Sequence, residues 1–335
     1  MVTSADVARL AGVSTSTVSY ALTGKRPISK ETRDRIERAI IELGFSPNAG
    51  ARALASSHTH VIGLFAQFLP DEFSPAMLQY VLPITEAARS AGYDTLFVTE
   101  ADGPHALQRI ASSNMVDGVV LLNVANDDSR LPILREIRQP GVMVGLPRNP
   151  DGFDVFDLDF AESGRILVDH LAERGHRQII LVTPNESVYE GGYAYSWRFR
   201  DAALDRAMER GVLITTFAGR TQQPDINELL NRILDSCSSE TAMIVHNDAV
   251  IAALPGVLHT RAIRVPDDLS VVGIFSEDFG RLFSLPYTAV EPSPDALGRA
   301  AVQTLINRLN TSAIDGHVFE LVAPGIIDRG STRAV

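Results

Sequence analysis

Residues 6–22 read DVARLAGVSTSTVSYAL, and this stretch decides the fold at the N-terminal end of the chain. Its apolar residues are spaced as on two short amphipathic helices, with Gly12 between them where the chain must turn. Ser14 suits the start of the second helix, because its hydroxyl can accept a hydrogen bond from a free backbone amide of the first turn. The stretch therefore predicts two helices joined by a turn of about three to four residues.

A third helix is predicted after a break at Gly24 and Pro27. Ser29 is placed to cap this helix, and Gly44 is placed to end it. Its apolar residues recur at intervals of three and four and so share one face: Ile36, Ala39, Ile40 and Leu43. The three helices would form a small all-α unit whose middle helix is exposed on its polar side.

Charge is distributed unevenly along the chain. The whole sequence has a net charge of −11, which by itself argues against nucleic-acid binding, because neutralising phosphates requires clustered cations. Residues 1–58, however, contain eight Lys or Arg against five Asp or Glu, whereas the remainder contains 22 against 36. A basic head on an acidic body is typical of a DNA-binding domain joined to a larger domain that does not itself bind DNA.

Composition narrows the class of protein further. A chain of 335 residues that is 45% hydrophobic is long enough for two or three domains. The N-terminus lacks the apolar run of a signal peptide, and no stretch approaches the roughly 20 apolar residues that span a bilayer, so a soluble, cytoplasmic protein without a membrane partner is expected. The single cysteine, Cys237, excludes an internal disulfide and a cysteine-rich metal site.

From Val61 onward, apolar strand runs alternate with helical stretches, which predicts a parallel α/β fold. The alternation restarts after DVFDLDF at 154–160, and two similar lobes explain this restart better than one large sheet. A helix near 294–309 and the strand HVFELV at 317–322 should cross back to complete both lobes. Ligands in such open sheets bind beyond the carboxyl ends of the strands, so a cleft between the lobes is the expected ligand site.

The N-terminal pattern resembles the headpiece of the LacI/GalR family of transcriptional regulators over a long, ordered match. The match includes Ala-Gly-Val-Ser at 11–14, Thr-Val-Ser at 17–19, Leu-Gly-Phe-x-Pro-Asn at 43–48 and Ala-Arg-x-Leu at 51–54. Weaker landmarks continue in order through the body: HLAERGHRQIILV at 170–182, HNDAVIAAL at 246–254, RVPDDLSVVGI at 264–274 and DRGST at 328–332. The resemblance covers essentially the whole chain, and it implies a repressor that binds double-stranded operator DNA as a homodimer and responds to a small-molecule effector.

The resemblance also implies an architecture: an all-α helix-turn-helix headpiece followed by a two-lobed α/β domain with parallel sheets, of the type I periplasmic-binding-protein kind. The headpiece would span residues 1–46, a hinge helix or linker 47–59, and the effector-binding and dimerisation domain 60–335. Within that domain, lobe 1 would take about residues 60–157 and 290–314, and lobe 2 about residues 160–287 and 317–330.

Residues on and after the second helix match the family's DNA-contacting positions. The expected base-reading residues are Thr15, Ser16 and Tyr20, since small polar or aromatic side chains near the start of a recognition helix reach base edges in the major groove. The residues expected to contact phosphate and set the register are Thr17, Ser19, Lys25 and Arg26. For the two serines, ordinary solvent exposure on a helix surface is the alternative.

Residues 48–56, NAGARALAS, match the family's hinge helix, which pairs with its twin from a second subunit in the minor groove. Leu54 corresponds to the leucine that wedges between base pairs, and Arg52 and Ala53 lie beside it. Unstacking a base step bends the duplex and allows more contact. Since so short a helix is marginal in water, its folding should depend on DNA and on a partner chain. A flexible linker without groove contact is the alternative.

The effector contacts implied by the family would face the cleft from both lobes. The set is Gln67 and Asn123 in lobe 1, and Asp159, Arg200 and Asn247 in lobe 2. Arg198 is the alternative arginine, because the local match does not fix the alignment, and a surface or interlobe salt bridge is the alternative role for either one. Such side chains can hold neighbouring hydroxyls of a polyhydroxylated ligand in paired hydrogen bonds.

Two departures from the family pattern bear on the ligand. Phe275 stands where a sugar-binding carboxylate is common, and Phe160 follows Asp159 where an asparagine is common. Further aromatic residues could add a stacking face for a ring or could pack in the core: Tyr193, Tyr195, Trp197 and Phe199. A simple hexose is therefore less expected than a glycoside, an oligosaccharide or a cyclic polyol.

Two other classes of function compete with this interpretation. The sequence contains no Gly-x-Gly-x-x-Gly, Gly-x-x-x-x-Gly-Lys, Gly-x-Ser-x-Gly or His-Glu-x-x-His motif, so no catalytic residue, cofactor or metal is predicted. A solute-binding protein for transport shares the two-lobed body, but the attached headpiece argues against that class.

Overall fold

The computed structural model describes residues 2–23, 26–45, 58–67, 74–238, 240–311 and 316–335. The headpiece contains the three predicted helices: α1 (Ser4–Ala11), α2 (Thr15–Thr23) and α3 (Lys30–Leu43). Gly12 and Gly44, with φ of 62° and 60°, close α1 and α3 in the left-handed conformation that glycine adopts readily. The predicted stop signals of these two helices are therefore confirmed.

A small apolar core holds the headpiece together. Thr3 and Asp6 form a capping box at the start of α1, and Ser29 Oγ accepts a hydrogen bond from the backbone amide of Thr32 at 3.2 Å at the start of α3. Val18 of α2 is fully buried among apolar residues of the other two helices: Val7, Ala8, Ala11, Ile36 and Ala39. One side of α2 is thus used for packing, and the opposite side is left exposed.

Lobe 1 begins with five parallel strands and three helices. The strands are β1 (Val61–Phe65), β2 (Asp94–Val98), β3 (Gly118–Leu121), β4 (Gly141–Val144) and β5 (Asp154–Leu158). The helices are α4 (Ser74–Ser90), α5 (Gly103–Ser112) and α6 (Leu131–Glu136). β3 is buried along its whole length, as expected of a central parallel strand covered by helices on both faces.

Lobe 2 repeats this design with five strands and six helices. The strands are β6 (Gln178–Thr183), β7 (Leu213–Ala218), β8 (Thr241–Val245), β9 (Ser270–Ile274) and β10 (Thr288–Val290). The helices are α7 (Phe160–Glu173), α8 (Glu186–Glu190), α9 (Ala194–Arg210), α10 (Asp225–Asp235), α11 (Asp248–Thr260) and α12 (Glu277–Leu282). Every strand pair among these is parallel.

The C-terminal segment completes both lobes, as predicted. Helix α13 (Pro294–Asn310) packs in the core of lobe 1, strand β11 (Phe319–Val322) pairs in parallel with β5, and β12 (Ile326–Ile327) pairs antiparallel with β10. Each sheet then has six strands, in the orders β11-β5-β4-β3-β1-β2 and β12-β10-β9-β8-β6-β7. The chain crosses between the lobes three times, after β5, after β10 and after β11.

A buried ion pair fastens this C-terminal crossover. The carboxylate of Asp154, at the start of β5, accepts hydrogen bonds from Arg308 Nη2 at 2.7 Å and Nε at 2.9 Å, and from the backbone amide of Val318 at 2.8 Å. One side chain therefore joins a strand of lobe 1, the last helix and the entry to β11.

One sequence expectation is corrected by the structure. Residues 317–330 were expected in lobe 2, but Phe319–Val322 belongs to the lobe 1 sheet because it pairs with β5, so the last crossover comes after Val322. Helix α11, which follows β8, spans 13 residues with Pro255 inside it, although a proline in a helical pattern ordinarily predicts a break. Among the described residues, no helix has the length and apolar character needed to cross a membrane.

Candidate functional site

The exposed side of α2 carries the residues predicted to read DNA. Thr15, Ser16 and Ser19 are exposed, whereas Tyr20 is half-buried. The guanidinium carbon of Arg26 lies 5.3 Å from the centre of the Tyr20 ring, which is a cation–π contact. The structure thus brings a predicted base-reading residue and a predicted phosphate-contacting residue together beside one helix.

The start of α2 is ordered by hydroxyl groups. Ser14 Oγ accepts a hydrogen bond from the backbone amide of Thr17 at 3.1 Å and lies 2.8 Å from both Ser16 Oγ and Thr17 Oγ1. The predicted cap is confirmed, and it also orients two of the predicted DNA-contacting side chains. Lys25, and the hinge residues Arg52, Ala53 and Leu54, lie outside the described residues.

A cavity of about 180 Å³ lies between the two lobes, at the carboxyl ends of their strands. Its polar lining residues are Gln79, Asn123 and Asp157 from lobe 1, and Asn185, Thr221, His246, Asn247, Asp248 and Ser276 from lobe 2. Its aromatic lining residues are Tyr80, Phe160, Tyr193, Tyr195 and Phe275. Neither Lys nor Arg is among the lining residues that the structure describes.

Three of the seven predicted effector residues line this cavity. Asn123 follows β3 and donates a hydrogen bond through Nδ2 to Gln67 O at 3.1 Å. Asn247 caps α11, since its Oδ1 accepts a bond from the backbone amide of Val250 at 3.0 Å. Phe275 is only 2% exposed and contributes an apolar surface.

The other four predicted residues are not among those lining the cavity. Gln67 donates a hydrogen bond to Ala101 O at 2.7 Å, and the carboxylate of Asp159 caps α7 by accepting a bond from the backbone amide of Glu162 at 2.9 Å. Arg198 lies at the lobe boundary, where its Nη2 donates to Pro147 O at 3.1 Å. Arg200 does not line the cavity either.

Arg200 is held on the outer side of lobe 2. Its guanidinium carbon lies 4.3 Å from the Trp197 ring centre and 5.0 Å from that of Tyr189, and its Nε and Nη2 donate to Asp201 Oδ1. Of the two arginines that the sequence left as alternatives, Arg198 is therefore the one beside the cleft.

Sequence reasoning missed two titratable groups in the cavity wall. Burial raises the pKa of the Asp157 carboxyl to about 7, although the backbone amides of Leu158 and Leu146 and the charge of Arg198 favour its ionised form. Burial also lowers the pKa of His246 to about 3. The only sequence signal for either residue is its position at the carboxyl end of a predicted strand. At mildly acidic pH, the Asp157 carboxyl of lobe 1 and the His246 imidazole of lobe 2 are therefore both mostly uncharged.

Direct hydrogen bonds join the lobes around the cavity. The hydroxyl of Ser276 donates to Gln79 Oε1, and the backbone amide of Asn126 donates to Gly192 O at 2.8 Å. The two lobes are joined by three crossings of the chain and by a few such hydrogen bonds. Two lobes connected in this way can adopt two arrangements, and a ligand can shift the balance between them.

An exposed recognition helix in a capped three-helix headpiece, joined to a two-lobed domain with a ligand-sized cleft, defines a DNA-binding regulatory protein with a small-molecule domain. Comparison with known proteins agrees. Residues 3–48 match the family model of bacterial regulatory proteins of the lacI family, and residues 168–332 match the periplasmic binding protein-like domain. The chain belongs to the lacI family and is a DNA-binding transcriptional regulator.

Similar proteins extend over the full length of the chain. The HTH-type transcriptional repressor PurR of Haemophilus influenzae is 26% identical over 351 residues, and that of Mannheimia succiniciproducens is 28% identical over 347 residues, with 100% of both chains covered in each case. The lac repressor dimer bound to operator and the anti-inducer ONPF superposes with a TM-score of 0.81 at 23% identity, covering 99% of each chain. A complex of the regulator CelR with cellobiose gives a TM-score of 0.66 at 24% identity, covering 99% of this chain and 100% of that one.

Proposed function

We propose that this protein is a dimeric, cytoplasmic repressor whose affinity for an operator is controlled by an uncharged small molecule bound between its lobes. The observation that supports this most directly is the pairing, in one chain, of an exposed recognition helix with an interlobe cavity lined by aromatic rings, amide and hydroxyl groups and two carboxyl groups. The PurR relatives are repressors by name, and the lac repressor neighbour is a dimer on its operator.

On DNA, two headpieces would occupy half-sites one helical turn apart or a simple multiple of it. Thr15, Ser16 and Tyr20 would contact base edges, while Thr17, Ser19, Lys25 and Arg26 would contact phosphates. The hinge residues Arg52, Ala53 and Leu54 would enter the minor groove between the two headpieces. For these hinge residues and Lys25 the support is the sequence alone.

In the cleft, a carbohydrate-like effector is the first candidate: a glycoside, an oligosaccharide or a cyclic polyol. The rings of Phe160 and Tyr195 can stack against the apolar face of a sugar, and the side chains of Asn123 and Asn247 can bond its hydroxyls. The structural neighbour CelR, which was solved as a complex with cellobiose, supports this class. Arg198 would act from the lobe boundary rather than as a wall of the cavity.

A purine base is the second candidate, and the full-length similarity to the PurR repressors favours it. Such a base is flat and uncharged and has hydrogen-bonding atoms on its edges, so it also suits an aromatic wall with amide and imidazole groups around it. Phosphorylated sugars and nucleotides are disfavoured, because no Lys or Arg is among the described residues that line the cavity.

Fluorescence anisotropy with the DNA upstream of the chain's own coding sequence tests the regulatory function. The full chain should bind this duplex more tightly than a random one, and deletion of residues 1–58 should abolish binding; equal affinity for both duplexes would refute the proposal. Thermal unfolding with cellobiose, aryl glucosides, inositol, hypoxanthine and guanine identifies the effector class, because a ligand at 100 times its Kd adds about 2.7 kcal/mol of stability.

A further inference from the structure

His246 differs from another buried histidine of lobe 2 in its hydrogen bonds. His176 is fully buried, and both of its ring nitrogens have partners: Nδ1 lies 3.0 Å from Glu240 O, and Nε2 lies 2.9 Å from Ser270 Oγ. His246 is 8% exposed, and its Nδ1 is buried without a hydrogen-bond partner among the residues that the structure describes. Because buried polar groups in folded proteins are bonded with few exceptions, packing alone does not account for a histidine at this position.

The rings around His246 are aromatic. The Phe199 ring lies 4.3 Å from it between ring centres, Phe160 is stacked at 6.0 Å with an angle of 23° between the ring planes, and Tyr195 meets it edge-on at 5.7 Å. Phe160, Tyr195 and His246 also line the cavity and form one aromatic wall on the lobe 2 side. The two phenylalanine side chains have no hydrogen-bonding atoms, and a ligand in the cavity could supply the partner that the imidazole lacks.

The charges of the groups that line the cavity restrict which ligands can bind there. Burial lowers the pKa of His246 to about 3, so the imidazole is neutral at physiological pH and offers one donor and one acceptor nitrogen. Rotation of the ring by 180° about the Cβ–Cγ bond keeps its shape and exchanges the place of Nδ1 with that of a carbon. Asp157 and Asp248 line the same cavity, and among the described lining residues there is no cation. These surroundings favour an uncharged ligand over an anionic one.

We propose that His246 is a specificity-determining residue of the cleft, which hydrogen-bonds an uncharged ring ligand lying on the wall of Phe160 and Tyr195. The inference rests on the proposed function in that it takes the cleft as the effector site. It also has a consequence for the ligand-free protein. If the imidazole serves to bind a ligand, it should stabilise the folded state less than an apolar side chain of similar shape at the same position.

The first test needs no ligand. In thermal unfolding of the full chain, His246→Phe and His246→Leu are compared with His176→Phe, in which Glu240 O and Ser270 Oγ lose a partner. At least one of the two His246 variants should unfold at the same temperature as wild type or higher, while His176→Phe should unfold several degrees lower. If both His246 variants fall as far as His176→Phe, the imidazole is structural and the proposal is overturned.

The second test is calorimetric titration with cellobiose, p-nitrophenyl β-glucoside, hypoxanthine and guanine, and with glucose 6-phosphate as the anionic probe. An uncharged ring probe should bind wild type, lose about tenfold or more of its affinity in His246→Phe, and regain part of it in His246→Asn. Unchanged affinity in His246→Phe, or binding confined to glucose 6-phosphate, would overturn the assignment, as would binding of no uncharged probe. Failure of the proposed regulatory function would show separately, as absence of specific DNA binding by wild type.

Discussion

Across the cleft, the Ser276 hydroxyl of lobe 2 donates a hydrogen bond to the side-chain oxygen of Gln79 on α4 of lobe 1. Ser276 also caps α12, because its Oγ accepts a bond from the backbone amide of Phe279 at 3.1 Å. One such bond between neutral groups contributes about 0.5–1.5 kcal/mol net. That is enough to bias an equilibrium between two lobe arrangements about two- to tenfold.

Gln79→Ala removes this interlobe bond and leaves the cap of α12 in place. The effector concentration that gives half-maximal change in operator binding should move about two- to tenfold, because the closed arrangement loses one hydrogen bond. Gln303→Ala is the control, since Gln303 is exposed on α13 and bonds Asn307 of the same helix. Equal midpoints for Gln79→Ala and wild type would show that this bond does not contribute to the lobe equilibrium.

Arg198→Met should raise the pKa of the Asp157 carboxyl above its value in wild type, because the guanidinium charge favours the ionised carboxylate. Arg200→Met is a matched control two residues further along α9, where the side chain stacks on Trp197 and pairs with Asp201. The carboxyl carbon of Asp157, titrated by NMR in the full chain, reports the difference. A pKa shifted equally by the two variants would contradict the position assigned to Arg198.

Ionisation of Asp157 should make the protein less stable as the pH rises. The ordinary pKa of this group is 3.8, and burial raises the folded-state value to about 7. Between about pH 4 and pH 7 the unfolded chain has released this proton and the folded chain has not, so its contribution to the free energy of unfolding falls across that window and is constant above it. Urea unfolding of wild type and Asp157→Asn at several pH values checks this. The free energy of unfolding of wild type should fall relative to that of Asp157→Asn up to about pH 7, and a difference that does not change with pH would refute the prediction.

Arg308→Met should lower the free energy of unfolding by about 3–5 kcal/mol, because it leaves the buried carboxylate of Asp154 without its cation. The Asp154 side chain is 3% exposed and Arg308 is 14% exposed. Arg299→Met on the same helix is the control, since its pairs with Asp295 and Glu86 are exposed and an exposed pair contributes about 0–1 kcal/mol. Urea unfolding measures both variants, and equal losses would show that Asp154 is not the fastening point of the crossover.

Tyr20→Ala should weaken binding to the operator by about 1–3 kcal/mol, the usual discrimination of one base contact, with little change on random duplex. Ile41→Ala is the headpiece control, because Ile41 is 80% exposed on α3. Anisotropy titrations with both duplexes distinguish the outcomes. An equal loss on operator and random DNA would place Tyr20 among the phosphate contacts instead.

The sequence predicted those parts of the fold that depend on local signals. Gly12 and Gly44 ended helices because their backbone conformation is one that other residues rarely adopt, and Ser14 and Ser29 began helices through bonds to amides a few residues away. The sheet to which Phe319–Val322 belongs could not be found this way, because its pairing with β5 joins residues more than 150 positions apart.

The candidate site was less predictable because it depends on the direction of side chains. Arg198 and Arg200 are two residues apart on α9, and residues at that spacing point to different sides of a helix. An alignment that is uncertain by two residues therefore cannot tell which arginine lies at the lobe boundary and which lies on the outer surface of lobe 2. The case of His246 is similar. Its place at a strand end is visible in the sequence, but the aromatic rings around its imidazole come from residues 160, 195 and 199, which are distant in the sequence. The sequence therefore does not show that Nδ1 lacks a hydrogen-bond partner among the described residues.

The three crossings of the chain between lobes have a genetic consequence. The last two strands are edge strands of different sheets, so a stop codon anywhere between residues 160 and 318 removes a part of each lobe at once. Such alleles should behave as complete losses of function rather than as proteins with one intact half. For the same reason, no single cut of the gene can transplant one lobe into another protein, and recombination between relatives is expected to exchange the headpiece far more readily than either lobe.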